Sequence, residues 1–349
     1  MASGSKMANI RSLETLLDAA VVKGLVGCAL GIRRGGREVA TLARGQADRE
    51  AAIPLDADAQ FRIASITKTF VAALVLQLVE EGRLSLDERL ARWLPERPFA
   101  DCVTLRQILN QTGGLPVYSV QKPGDYPLAD ADLPRTVYID HAYERTPAKP
   151  PGGPFEYANV GSRVLGHIIE LETGEELTHL METRLLEPLE LADTLASGWR
   201  GPSPPRLARG YTHEGPKVRD DTHRVPPNHL WSGGDMVSTV SDLTRWARAL
   251  FTGEVVGAAL TEALRTDLVP GVFHDSSMSH HGLGVMVFRR GGRHLFGHRG
   301  STPGFVGIVG YDFDEDLAVA VQTNSYAPDS SSVFRAEVET ILFGAVPAA

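Results

Sequence analysis

Residues 61–82 read FRIASITKTFVAALVLQLVEEG, and this stretch decides how the rest of the chain is interpreted. Apolar side chains occupy nearly every face of residues 66–79, which predicts a helix that is buried on all sides. Lys68 lies in the first turn, where an ammonium group away from water is costly unless it is paired or chemically useful. Ser65 precedes it by three residues, on the same face and at the positive end of the helix dipole. The pair is predicted to be a nucleophile and its proton acceptor, although a helix-capping serine beside a solvated lysine has the same spacing.

The composition indicates a globular protein. Its 349 residues are 43% hydrophobic, which is enough to fill a substantial core. The net charge is −8 with acidic and basic residues interspersed, so neither nucleic acid nor a membrane is an expected partner. Residues 1–6 read as an expression remnant, and no export signal or long apolar run is recognisable. We therefore expect a cytoplasmic protein, an expectation that fails if a signal peptide has been removed.

Strand-like segments occur near both ends of the chain, whereas helical periodicity dominates the middle. Residues 26–32 and 38–44 predict a hairpin, and residues 284–323 contain four further strand patterns separated by turns. This order predicts an α+β fold in which one antiparallel sheet is built from both termini and flanked by helices, with a mostly helical region inserted.

The predicted regions form one composite catalytic unit. The sheet region comprises residues 7–60 and 235–349, and the helical region comprises residues 61–234. Two stretches of the helical region, residues 116–154 and 198–230, are rich in proline and are expected to be lid-like loops. Aromatic residues on these stretches, or directly after the second one, are candidate pocket walls: Tyr118, Tyr126, Tyr138, Tyr143 and Trp231.

A second patch of polar side chains, GPFEYAN at residues 153–159, precedes a predicted helix. Tyr157 offers a phenol that can relay a proton. Asn159 offers an amide that can donate to a substrate carbonyl and orient Lys68. Taken alone, this pattern equally fits a packing aromatic followed by a helix cap.

A third patch, GHRGSTPGF at residues 297–305, lies at a predicted strand end. Glycine at residue 300 allows close approach to the backbone, so the N–H groups of Ser301 and Ser65 are a candidate oxyanion hole. His298 is expected to face the pocket, whereas Arg299 should point to the opposite face of the strand. A turn histidine satisfied by the backbone is the alternative.

The order of these patches resembles that of the serine β-lactamase and penicillin-binding-protein superfamily, in particular its class C-like branch of esterases, D-aminopeptidases and acyltransferases. Its elements are S-x-x-K on a buried helix, Y-x-N about ninety residues later and H-x-G on a late strand. The resemblance implies a β-lactamase/transpeptidase-like fold. It implies that Ser65 is the nucleophile, that Lys68 and Tyr157 handle protons, that His298 belongs to the catalytic group, and that Asn159, Gly300 and Ser301 serve substrate and oxyanion.

One departure from the superfamily pattern concerns the substrate. Many members have Lys-Thr-Gly where this chain has His298-Arg299-Gly300. A mostly neutral histidine attracts a substrate carboxylate less strongly than a permanent cation does. Strong β-lactamase activity is therefore not expected, and a small ester or amide is the expected substrate.

Other chemistries lack their signatures. The sequence contains no G-x-S-x-G, P-loop or G-x-G-x-x-G. His280 and His281, His294 and His298, and the cysteines Cys28 and Cys102 lack metal-site spacing, so no metal and no cofactor is expected. The leading hypothesis is a serine hydrolase acting through acyl-Ser65. An acyltransferase that passes the acyl group to an amine or alcohol acceptor, and a non-catalytic ligand-binding relative, remain alternatives.

Overall fold

The computed structural model describes residues 10–118, 136–198, 203–225, 230–272, 277–328 and 331–346. The helices in these ranges are α1 (Ile10–Val22), α2 (Thr67–Glu80), α3 (Leu105–Leu109), α4 (Thr136–Arg145), α5 (Asn159–Thr173), α6 (Leu177–Met181), α7 (Val240–Thr252), α8 (Ala258–Thr266) and α9 (Ser331–Ala345). The strands in the first half of the chain are β1 (Gly27–Arg34), β2 (Arg37–Asp48), β3 (Ile53–Pro54) and β4 (Phe61–Arg62). The later strands are β5 (Tyr211–Glu214), β6 (Lys217–Asp220), β7 (Val237–Ser238), β8 (Val269–Pro270), β9 (Met278–His281), β10 (Met286–Arg290), β11 (Arg293–Thr302), β12 (Phe305–Asp312), β13 (Leu317–Thr323) and β14 (Ser325–Tyr326).

An antiparallel sheet of nine strands joins the two ends of the described chain. Its order is β3-β2-β1-β13-β12-β11-β10-β9-β8, so β1 from the N-terminal side pairs with β13 from the C-terminal side. Cys28 lies opposite Thr323 and Arg34 lies opposite Leu317 in this pairing. The predicted α+β fold, with one sheet assembled from both termini, is confirmed.

The two faces of the sheet bury different sets of side chains. On one face, α1 and α9 pack through Leu13, Leu17 and Leu342 against sheet residues such as Leu30 and Ile308. On the other face, α7 and the inserted helices form a larger core, and all but three residues of α2 are buried. The apolar surface of α2 therefore has no solvent side, as its sequence predicts.

The two stretches expected to be loops contain regular structure. Helix α4 lies within residues 116–154, and the hairpin of β5 and β6 lies within residues 198–230. The hairpin belongs to a separate three-stranded sheet, in which β5 pairs in parallel with β14, the short strand that follows β13. High proline content therefore did not exclude regular structure in these stretches, and their role as lids stays a prediction. The division of the chain into a sheet region and a helical region stays a prediction. Within the described ranges, no helix combines the length and apolarity needed to cross a bilayer.

Candidate active site

Ser65 lies on a short 3-10 turn, Ala64–Ile66, directly before α2. The sequence places Ser65 at the start of a helix that begins at Ile66, and the structure instead places both residues on this tighter turn before α2. Ala64 has a positive φ of 47°, which an L-residue adopts only where its surroundings hold it. Pairing of β4 with β7 fixes the chain immediately before the turn. The Ser65 side chain is consequently presented half-exposed at the start of a buried helix.

Lys68 is 5% exposed, and its amine is directed at the serine. Its Nζ donates to Ser65 Oγ at 2.9 Å and to the Gly233 carbonyl at 2.6 Å. Burial lowers the pKa of Lys68 to about 7, and the positive charge of Arg163 adds to the decrease. Near neutral pH a substantial fraction of Lys68 is therefore an uncharged amine that can accept a proton.

The segment that carries Gly233 also braces the nucleophile turn. Met236 accepts from the backbone N–H of Ile63 at 3.0 Å, and its own N–H donates to Thr67 Oγ1 at 3.3 Å. These bonds tie the residues on either side of Ser65 to one neighbouring segment. The relative position of Ser65, Lys68 and the Gly233 carbonyl is therefore set by backbone bonds, which allow little adjustment.

Tyr157 lies two residues before the first residue of α5, and its hydroxyl is buried. Lys68 Nζ lies 5.3 Å from the centre of the Tyr157 ring. Burial raises the pKa of Tyr157, although a side-chain hydrogen bond with Ser65 and the charge of Arg299 oppose the increase. The phenol therefore stays neutral at physiological pH. Asn159 is the first residue of α5 and is half-buried.

Strand β11 passes close beside the nucleophile turn at Gly300. A Cβ added to Gly300 would lie 2.0 Å from the Ile63 carbonyl oxygen and 3.1 Å from the Ser65 nitrogen. Only glycine permits this approach, which brings Ser301 and Ser65 onto adjoining backbone segments. Their assignment as an oxyanion hole stays a prediction that this proximity supports.

His298 faces the site, and its ring centre lies 6.2 Å from that of Tyr157. Its Nδ1 lies 2.5 Å from the Arg299 carbonyl, which can only accept, so Nδ1 carries the hydrogen and Nε2 is a bare acceptor. Burial, followed by the charge of Lys68, lowers the pKa of His298 well below its ordinary value. The residue is therefore a neutral imidazole under physiological conditions.

Arg299 points to the opposite face of β11, as the alternation of the strand predicts. Its guanidinium pairs with Glu339 of α9 at 2.6 Å and lies 5.5 Å from the Phe288 ring centre. It therefore cannot supply the cation that His298 lacks.

Sequence reasoning missed four residues that surround Lys68 and Tyr157: Gln111, Arg163, Gly233 and His281. The sequence suggests His281 only as a metal ligand, but its ring centre lies 6.5 Å from that of Tyr157 and 6.2 Å from that of His298. Its Nδ1 lies 2.9 Å from the Gly282 carbonyl, and burial lowers its pKa to about 4. A signal existed for three of them, because the superfamily resemblance also extends over residues 109–115, 157–169 and 233–243, which contain Gln111, Arg163 and Gly233.

A small cavity lies beside Lys68, lined in part by Gln111, Ser162, His281 and His298. None of the four described aromatic candidates for pocket walls lines it. Tyr118 bonds His141 at 3.2 Å, Tyr138 lies under the Arg163 guanidinium at 4.4 Å, Tyr143 contacts Arg97, and Trp231 is buried in the core. Tyr126 lies outside the described residues. The assignment of these aromatic side chains to pocket walls stays a prediction.

The sequence model of the Beta-lactamase family matches residues 13–341. The chain therefore belongs to the β-lactamase family, which confirms the superfamily resemblance. Among solved structures, the chain is similar to the D-amino acid amidase from Ochrobactrum anthropi SV3, in complexes with L-phenylalanine amide and with D-phenylalanine. The identity is 29% with a TM-score of 0.90, over 96% of this chain and 98% of that one.

Two other relatives carry the names of hydrolases. A D-stereospecific amidohydrolase from Streptomyces sp. is 27% identical with a TM-score of 0.81, over 95% of this chain and 98% of that one. Esterase EstB from Burkholderia gladioli is 34% identical over 218 residues, which is 58% of this chain and 54% of that protein. The chain thus spans about half the length of this curated relative.

Proposed function

We propose that this chain is a cofactor-independent serine hydrolase that cleaves small esters or amides through an acyl-Ser65 intermediate. The observation that carries the proposal is the 2.9 Å bond between Lys68 Nζ and Ser65 Oγ, made by an amine whose pKa is about 7. An amine in this state can accept the serine proton without a histidine–aspartate pair.

In the acylation step, Ser65 Oγ attacks the substrate carbonyl carbon while its proton passes to the neutral Nζ of Lys68. The carbonyl oxygen gains negative charge, which the backbone N–H groups of Ser65 and Ser301 stabilise. The Gly233 carbonyl stabilises the ammonium that forms, since it already accepts from Nζ. The tetrahedral adduct is thereby paired with a nearby cation.

In the second half of acylation, the bond from the carbonyl carbon to the leaving oxygen or nitrogen breaks, and that atom needs a proton. Tyr157 gives its hydroxyl proton to the leaving group and regains one from Lys68, a relay that its neutral state allows. Water then attacks the acyl-enzyme by the same route in reverse. Release of the acid restores Ser65 and the neutral amine.

The substrate class follows from the charge of the site. His298 is neutral and Arg299 is turned away to Glu339, so neither residue offers a permanent cation to a substrate carboxylate. Amides of amino acids and small carboxylic esters have no free carboxylate that would need such a cation. This substrate class agrees with the amidase and esterase names of the relatives. β-Lactams with a free carboxylate are expected to be poor substrates.

The test uses p-nitrophenyl esters and both enantiomers of phenylalanine amide. The wild-type protein should release p-nitrophenol with a burst, and mass spectrometry should find the acyl group on Ser65. Ser65→Ala should abolish the burst, the mass increase and labelling by a fluorophosphonate. Ser241→Ala is the matched control, because this serine bonds Glu38 on the exterior of α7. Undiminished labelling of Ser65→Ala would remove Ser65 from the role.

Transfer to an acceptor would use the same acyl-enzyme. The ratio of transfer product to free acid, measured with and without an added amine or alcohol, decides between hydrolase and acyltransferase. Absence of any acylation on Ser65 would favour the non-catalytic alternative. The cytoplasmic location expected from the sequence stays a prediction, which fractionation of the source cells would test.

A further inference from the structure

Gln111 holds an unusual backbone conformation two residues after α3. Its φ is +64°, in the left-handed region that side chains other than glycine and asparagine rarely adopt. The residue is 8% exposed and lines the cavity beside Lys68. Such a conformation persists only where neighbouring contacts hold it.

Two hydrogen bonds connect Gln111 to the residues on either side of Tyr157. Its backbone carbonyl accepts from the N–H of Glu156 at 3.0 Å. Its side-chain Oε1 accepts from the N–H of Ala158 at 2.8 Å. Gln111 therefore bonds the chain directly before the tyrosine through its backbone carbonyl and directly after it through its side-chain oxygen. We call this pair of bonds the Gln111 clamp.

The bond to Ala158 supplies a hydrogen-bond acceptor at the start of α5. Ala158 is the N-cap of this helix, and its own side chain makes no cap bond. Two further backbone bonds join the same two segments: the Thr112 carbonyl accepts from the Gly152 N–H at 2.9 Å, and the Gly114 carbonyl accepts from the Lys149 N–H at 2.7 Å. Of these three acceptor residues, Gln111 is the one that lines the cavity beside Lys68.

We propose that Gln111 is a positioning residue that holds the Tyr157 hydroxyl in register with Ser65 and Lys68 for proton transfer. This inference rests on the proposed acyl-Ser65 chemistry. Proton relay requires donor and acceptor to approach within hydrogen-bond distance, and a displacement of about 1 Å can lower a rate by about 100-fold. Loss of the clamp should therefore impair turnover more than substrate binding.

The decisive variant is Gln111→Asn. Asparagine tolerates the left-handed conformation and keeps the backbone bond to Glu156, but its shorter side chain withdraws the acceptor from Ala158. With a p-nitrophenyl ester, kcat should fall about 10- to 100-fold while KM changes less than about threefold. The same measurements in the Tyr157→Phe background should show no further loss beyond about threefold, because the group that Gln111 positions is already gone.

Gln60→Met is the matched control, since Gln60 is also a buried glutamine that bonds a backbone group, the Asp193 carbonyl at 2.9 Å. It should lower the midpoint of thermal unfolding without changing kcat. If Gln111→Asn does not fold, Gln111→Met fills the same volume without an acceptor and is measured in the same way.

Wild-type kcat in a folded Gln111 variant would overturn the proposal, as would an equal loss of kcat whether or not Tyr157→Phe is also present. Failure of the underlying function has a different signature. Tyr157→Phe and Ser65→Ala would then both keep full turnover, whereas failure of the clamp alone leaves those two variants impaired and Gln111→Asn normal.

Discussion

Two buried cations, Lys68 and Arg299, lie on opposite sides of strand β11 and have different surroundings. Arg299 pairs with the Glu339 carboxylate, which is 12% exposed at its side chain. Lys68 bonds a hydroxyl and a carbonyl, and no carboxylate within the described ranges pairs with it. A paired cation keeps its charge and holds two elements together, whereas an unpaired buried amine loses proton affinity and becomes a base. The difference supports a structural role for Arg299 and the proposed catalytic role for Lys68.

The largest expected effect is the loss of acylation when Lys68 is replaced. Lys68→Met should lower the acylation rate by a factor of about 1,000 or more, because the other side chain that bonds Ser65, the Tyr157 phenol, stays neutral and is a poor base. The fold should remain, since methionine fits the apolar surroundings of α2. Stopped-flow measurement of the p-nitrophenol burst checks the rate, and circular dichroism checks the fold. A burst of wild-type speed in this variant would make Lys68 as structural as Arg299.

The next effect is a loss of folding stability when Arg299 is replaced. Arg299→Met removes the cation that pairs with the buried Glu339 carboxylate and should lower the free energy of unfolding by about 3 kcal/mol. Adding Glu339→Leu should recover most of the loss, because the carboxylate that lost this ion pair is then also removed. Urea titration of the single and double variants measures both values. The single variant should keep its burst in the absence of denaturant, and loss of the burst in folded protein would show that the pair also shapes the site.

A smaller effect is the pH dependence of stability that Lys68 confers. Its pKa is about 7 in the folded protein and 10.5 as the ordinary value, so the unfolded chain binds more protons between these limits. The free energy of unfolding of the wild-type protein should therefore rise with pH above 7, relative to Lys68→Met, by about 2 kcal/mol between pH 7 and 9. Parallel stability curves for the two proteins would mean that Lys68 is not desolvated as described.

The smallest effect concerns the charge of Arg163, which helps to lower the pKa of Lys68. Arg163→Met should move the acid limb of the activity profile to higher pH, giving a rate about two- to threefold lower at pH 7 and an unchanged rate at high pH. Arg163→Lys keeps the charge and is the control. If the midpoint of the activity profile is unchanged in Arg163→Met, burial alone lowers the pKa of Lys68.

Local sequence patterns predicted the side chains to which the proposed chemistry is assigned. The three-residue spacing of Ser65 and Lys68, and the apolar surroundings of the helix behind them, were readable without coordinates. The alternation of β11 predicted that His298 and Arg299 face opposite ways, which the ion pair to Glu339 agrees with. The antiparallel sheet from both termini also followed from the strand pattern.

The supporting residues were less accessible because their roles depend on the folded chain. Gln111 acts on residues about 45 positions away through a left-handed backbone, and His281 reaches the site only through the pairing of β9 with β10. Neither feature has a local periodicity. Helix α4 was missed because prolines on both sides of it, Pro134 and Pro147, hid its helical period.

The pH dependence of the acylation burst tests the central claim, that an unpaired buried Lys68 is the base for Ser65. With an uncharged p-nitrophenyl ester, the burst rate constant of the wild-type protein should rise sigmoidally with a midpoint at about pH 7. It should remain on a plateau through pH 9, because the neutral phenol of Tyr157 does not ionise there. A rate constant that is flat from pH 5 to 9, or a wild-type profile that persists in Lys68→Met, would contradict the account.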